Sequence, residues 1–230
     1  RLYFLCMPKQ MRPLLLVAAV ILLVWGLIPL LRCGTAPEAG RPLRAAIVDQ
    51  LYLMEPDPDF IAGATAALAS GGFAVDVWHG DNITVDFYRE LPRYGYQLII
   101  LRVHSGILLS LEGDKVEPLP ATYLFTGETY TTAKYVTEQL SDKVSNAMMS
   151  DKYPLVFAVN SEFVRDDFKE DFDRAVIIAM GCESYYNDDM AAAFLAKGAS
   201  AYIGWDTLVS LEHTDNATLN LLDRLCTDNL

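Results

Sequence analysis

Two residues invite a chemical reading before any element is assigned. Cys182 closes the apolar run "RAVIIAMGC" (174–182) and is followed at once by Glu183 and Ser184, while His104 lies near the end of "YQLIILRVHSG" (96–106). The thiolate is the nucleophile, and a free thiol is largely protonated at neutral pH. An imidazole within reach takes that proton during attack and then protonates the leaving group. Small residues stand beside both, Gly181, Ser105 and Gly106, and let backbone N–H groups approach a developing oxyanion. The chemistry these residue types serve together is acyl transfer. It requires both runs to be strands that end at the same edge of one sheet.

The surrounding pattern supplies such a sheet. Strands are expected at "RAAIVDQL" (44–51), "GGFAVDVWHG" (71–80), 96–106, 174–182 and "SAYIGW" (200–205). Helices are expected at "DPDFIAGATAALAS" (57–70), "TVDFYREL" (84–91), "DDMAAAFLAKG" (188–198) and "NATLNLLDRL" (216–225). Near-continuous apolar strands alternating with helices predict a parallel sheet covered on both faces. In such a sheet the residues just past the strands' C-terminal ends share one edge, where open α/β sheets bind ligands. Neighbouring strands lie about 4.8 Å apart, so His104 and Cys182 can meet there. The middle of the chain predicts a hairpin over 107–127 turning at Glu112-Gly113-Asp114, a helix over 132–149 with Tyr135, Val136, Leu140 and Val144 on one stripe, and an edge strand over 153–160 marked by Pro154.

"VHSG" and "AMGCES" resemble the His-Gly and Ala-Cys signatures of the caspase-like cysteine peptidases of clan CD (caspases, gingipains, separases and CHAT domains). "MAAAFLAKGASAYIGW" (190–205) and "HTDNATLNLL" (213–222) resemble the stretch that follows the cysteine in CHAT and gingipain-like domains. The likeness covers about 174–225 well and 96–106 more thinly. It implies an α/β, caspase-like three-layer fold with a mainly parallel sheet flanked by helices. It also implies Cys182 as nucleophile, His104 as general base and acid, and an oxyanion hole from the N–H groups of Cys182 and of Ser105 or Gly106. Substrate-binding roles for Glu183, Trp205 and Asp206 are expected, the last two lining a pocket for a basic side chain; the favoured alternative for Asp206 is a helix-capping or solvated residue. The chain departs from the family pattern at Ser105, where glycine is usual, at Gly181, where alanine is usual, and at Asp215, ten residues beyond Trp205 rather than closer.

Composition narrows the setting. With 18 basic against 30 acidic residues the net charge is −12, which argues against a nucleic-acid partner, since that needs a basic face to displace counterions. Pro13–Leu31 is an uncharged stretch of 19 residues, about 28 Å long as a helix and close to the thickness of a bilayer's apolar core. The expected organisation is a tail (1–12), a transmembrane anchor or signal segment (13–31), a linker (32–43) and one caspase-like domain (44–230). Without a clean small-residue cleavage site, an uncleaved single-pass anchor is favoured, with the soluble domain outside the cytoplasm. Arg and Lys flank the stretch on both sides, so the positive-inside count leaves the orientation open. Four cysteines are too few for a disulfide scaffold, and no Cys182–Cys226 bridge is expected. Zinc is not expected, because His79, His104, His213 and Cys182 include no close ligand pair; neither is any other cofactor. "NIT" (82–84) and "NAT" (216–218) are glycosylation sequons.

The expected activity is that of a membrane-anchored cysteine endopeptidase acting on a polypeptide through a thioester. The alternative is a catalytically inactive caspase-like module that binds a partner protein at the membrane. A flavodoxin-like ligand-binding domain is a weaker third reading, because Tyr52-Leu53-Met54 stands where a phosphate-cradling glycine loop would be.

Overall fold

A computed structural model describes residues 2–4, 42–112 and 115–227, the side chains of 2–4, 108–112, 115–120 and 227 excepted. In chain order, β1 (Leu2–Phe4) and β2 (Leu43–Asp49) precede α1 (Pro58–Ser70) and β3 (Phe73–His79), and α2 (Val85–Glu90) leads to β4 (Leu98–Arg102). The hairpin β5 (Ser105–Glu112) and β6 (Lys115–Thr129) follows, then α3 (Val136–Leu140), β7 (Val144–Ala147), β8 (Val156–Asn160) and α4 (Ser161–Asp167). β9 (Val176–Ala179), α5 (Asp189–Ala196), β10 (Ala201–Trp205) and α6 (Leu211–Thr227) complete the order.

The main sheet runs β1-β10-β9-β4-β2-β3, parallel throughout except for β1. β4 is buried along its whole length and β2 along its last five residues, as strands covered on both faces must be. Alternate side chains feed two cores. Ile47, Ile100, Met180 and Ile203 pack with Phe60, Ala64 and Leu68 of α1 and Leu222 of α6. Val48, Leu101 and Ile177 pack on the other face with Tyr88, Phe163 and Phe194. α1 begins where the sequence says it should: the Asp57 carboxylate accepts the Phe60 N–H, and Pro58 occupies the first turn.

A second, antiparallel sheet, β5-β6-β8-β7, inserts Leu124, Val144, Phe157 and Val159 into the second of these cores. It corrects two expectations. The helix expected over 132–149 shrinks to α3, because Tyr135 and Asp142 adopt left-handed backbone (φ 51° and 58°) at its two ends. The chain after Asp142 then satisfies its backbone by pairing β7 with β8. The supposed apolar stripe is not a core face, for Leu140 is 83% exposed. β8 in turn is interior, between β6 and β7; Pro154 lies before it, outside the ladder, where its missing N–H costs nothing. The expected hairpin is present, though the centre of its turn lies outside the described residues. α4 had no counterpart in the sequence reading, and α6 starts five residues before the expected 216.

The anchor expected at 13–31 lies outside the described residues. Among the described residues, no helix is long and apolar enough to cross a membrane.

Candidate functional site

The ladder between β4 and β9 pairs Leu101 with Ala179, and the Met180 N–H continues it to the Leu101 carbonyl. Three residues further along each chain, beyond the paired residues, come His104 and Cys182. Contacts just beyond the ladder keep the two segments together. The Ser105 hydroxyl donates to the Cys182 carbonyl at 2.6 Å, and Gly181 lies hard against Ser105 and the Val103 carbonyl. The two strand ends required for acyl transfer are therefore adjacent at the C-terminal edge of a parallel sheet.

Each candidate has a definite environment. The Cys182 thiol is half-buried and reduced. Its Sγ lies 3.4 Å from both the N and the O of Val209, accepting from the first and donating to the second. The His104 backbone N–H donates to Gln50 Oε1, and the ring lies 5.9 Å from that of Phe125. Its Nε2 is buried without a hydrogen-bond partner. Burial pushes the His104 imidazole below its ordinary value, with the Glu55 carboxylate pulling weakly the other way. The neutral ring this favours is the form that accepts a proton.

The ladder also chooses between Ser105 and Gly106 as oxyanion donors. The Phe125 N–H bonds to the His104 carbonyl, and β5 and β6 then pair Ser105 with Leu124 and Gly106 with Tyr123. Hydrogen-bonded and non-hydrogen-bonded pairs alternate in an antiparallel ladder, so Gly106 faces Tyr123 and its N–H is committed to β6. Ser105, at the position between, turns its N–H towards the Gly181–Cys182 turn. Of the two expected donors, Gly106 has its N–H committed to the β5–β6 ladder, whereas Ser105 does not.

Ser105 and Gly181 are in close contact. A Cβ on residue 181 would collide with the Ser105 hydroxyl and the Val103 carbonyl. The Ser105 hydroxyl therefore opposes a side chain at 181 alongside the Val103 carbonyl. Gly181→Ala is expected to cost about 1–3 kcal/mol, the usual range for overpacking a tight site. Ser105→Gly in the same chain should recover part of that loss by removing one of the two obstacles. Urea unfolding of the two single variants and the double would show a favourable coupling; strictly additive losses would mean that the Val103 carbonyl alone sets the constraint.

The expected substrate-binding residues fare unevenly. Glu183 has left-handed backbone (φ 54°) and gives its N–H to Thr207 O. Its carboxylate lies close to Gly106. Trp205 is buried and spends its indole N–H on Thr214 Oγ1 at 2.9 Å; it supports the wall from behind. Asp206 is half-buried just past β10. Of the sequon asparagines, Asn82 is exposed beside His79, and Asn216 is exposed at the start of α6.

The sequence reading missed the cleft beside these residues. A cavity of about 410 Å³ lies between the segment after β2 and the start of α6, walled by Glu55, Asp57, Asp59, Glu212 and Asp215 with Arg102 at its buried end. Arg102 is 1% exposed. It forks onto Asp215 at 3.0 and 3.2 Å, reaches Asp49 at 2.8 Å, and donates to the Glu55 carbonyl. These contacts hold its guanidinium firmly charged against the opposing effect of burial. For Asp49, burial raises the carboxyl above its usual range against the pull of Arg102, His79 and the Tyr52 backbone. The signal for this cleft was available: two acidic stretches follow strands that end at the same edge.

Cys226 packs against Gly71, which precedes β3 at the opposite edge, and like Cys182 is a free thiol. Among the described residues, no group of three or more His, Cys, Asp or Glu side chains is placed to hold a metal ion. Comparison of the chain with protein-family models, curated proteins and solved structures returned no match.

Proposed function

We propose that this chain is a caspase-like cysteine endopeptidase held at a membrane by residues 13–31, with His104 and Cys182 as its dyad. The observation that supports the reading is that these two residues follow the ends of adjacent parallel strands, with Ser105, next to His104, bonded to the Cys182 carbonyl and its N packed against Gly181. The Cys182 thiol gives its proton to His104 as its sulfur attacks the scissile carbonyl carbon. The oxyanion is met by the N–H groups of Ser105 and Cys182. His104 then protonates the departing amine, and a water deprotonated by the same ring hydrolyses the thioester. The acidic cleft, at the same sheet edge, favours a cationic side chain in the substrate. Glu55 belongs both to that cleft and to the field around His104.

One observation favours the rival reading, a non-catalytic module that binds a partner protein. The thiol is engaged with the Val209 backbone, and a resting thiol held this way needs no histidine.

Acyloxymethylketone probes bearing basic, acidic or apolar side chains separate the two. Peptide mapping by mass spectrometry is expected to find the basic probe on Cys182, and the adduct should vanish in His104→Ala. Equal labelling of Cys182 and Cys226, or labelling indifferent to His104, would move the assignment to the binding module.

A further inference from the structure

On the outer side of α1, a second cavity of about 760 Å³ has no role in the chemistry above. Ile61, Ala62, Ala66 and Ala69 form its apolar wall, and Asp49, His79 and Tyr52 close one end. Its volume falls within the range of small-molecule sites, which pair apolar walls with a few placed polar groups. Among its lining residues none is Lys or Arg.

The polar end is unusual. Asp49 is fully buried, yet its Oδ2 has no hydrogen-bond partner; nor does the buried Nδ1 of His79. The two atoms lie 3.8 Å apart, too far to bond to each other. Leaving a buried acceptor unmet costs about 1–3 kcal/mol, so this end is incomplete as it stands. Above it the Tyr52 and His79 rings pack 4.6 Å apart. Tyr52 is half exposed and can swing aside.

We propose that this cavity binds a small organic cation, a primary ammonium on an apolar body. The unpartnered Asp49 oxygen suits an ammonium nitrogen, which can direct one N–H bond to the carboxylate and, in the tautomer that leaves Nδ1 without hydrogen, a second to the His79 ring 3.8 Å away. A hydroxyl has one donor and leaves one acceptor unmet, and an anion is repelled by Asp49 and Asp57. The apolar body lies along α1 over Ile61, Ala62 and Ala66. The site shares Pro56 and Asp57 with the cleft beside His104, so a bound ligand bears on the segment that shapes that cleft. The proposal stands whether or not Cys182 is catalytic.

The test is a titration of the full chain, labelled on alanine and isoleucine methyls, with benzylamine, benzyl alcohol and benzoate, followed by NMR. Benzylamine is expected to shift the Ile61, Ala62 and Ala66 methyls saturably, at least tenfold more tightly than the alcohol or the acid. Ala66→Leu should abolish the effect, and Asp49→Asn or the more exposed His79→Phe should bring amine and alcohol level. Equal binding of amine and alcohol, no saturable shift at these methyls, or indifference to Ala66→Leu would overturn the proposal.

Discussion

A His104→Ala variant is expected to hydrolyse a fluorogenic peptide amide with a basic residue before the scissile bond about 10⁴-fold more slowly than the parent chain. Adding Cys182→Ala to it should cost little more. The reason is that the two side chains act as one unit: without the imidazole, the thiol has no base to activate it and the leaving amine has no acid. Residues acting as a unit show losses that do not add. Acidity should mimic the histidine change reversibly. Only the neutral ring can take the thiol proton, and burial holds the His104 imidazole below its ordinary value of about 6.5. Activity therefore persists as the pH falls through 6.5 and declines only as it passes the lowered value. An acid limb of kcat/KM centred well above 6.5 would mean that His104 does not act as the base. Equal activity of parent and His104→Ala would remove the dyad altogether.

The sheet and its edge were legible because both rest on the strongest local signals. "RAAIVDQL" and "YQLIILR" are apolar on both faces, and in the structure β2 and β4 are the strands buried from both sides. Once the strands are parallel, the edge shared by His104 and Cys182 follows without knowledge of strand order. The second sheet was legible only in part. Its hairpin carried turn residues, but β7 is the four-residue "VSNA", too short for alternation to declare itself. A helical period running through Tyr135 and Leu140 concealed the left-handed breaks at Tyr135 and Asp142. Neither residue is a glycine, so the usual signal of such a break was missing.

The site shows the same division. The arrival of His104 and Cys182 beyond the ends of adjacent strands could be read from residue type and strand end. The meaning of Ser105 and Gly181 could not, since each looks like a defect until the contact between them is seen. Trp205 was misjudged for a related reason. Large aromatic residues beside a site suggest a substrate wall, but a buried indole needs a partner for its N–H, and Thr214 supplies one from α6. Arg102 gave no warning at all. A charged residue at the end of an apolar strand reads as the point where the strand meets solvent, and here it is the largest fully buried side chain.

That burial gives the second large effect. Arg102→Met is expected to destabilise the fold by about 3–5 kcal/mol, the usual consequence of removing one member of a buried ionic group. Methionine keeps much of the side chain's bulk over the Phe60 ring, so the loss is electrostatic: Asp49 and Asp215 remain at the sheet edge, both buried, with no cation between them. Arg102→Lys should recover little, because an ammonium cannot reproduce the planar fork onto Asp215 together with the bonds to Asp49 and the Glu55 carbonyl. Adding Asp49→Asn and Asp215→Asn to Arg102→Met should restore much of the stability, since the stranded carboxylates are then gone. Denaturant unfolding of these variants distinguishes the causes. A loss in Arg102→Met that the two asparagines fail to relieve would place the role of Arg102 in packing. Recovery would show that the loss is electrostatic, and that the guanidinium ties β2, β4 and the start of α6 together two residues before His104 by balancing Asp49 and Asp215.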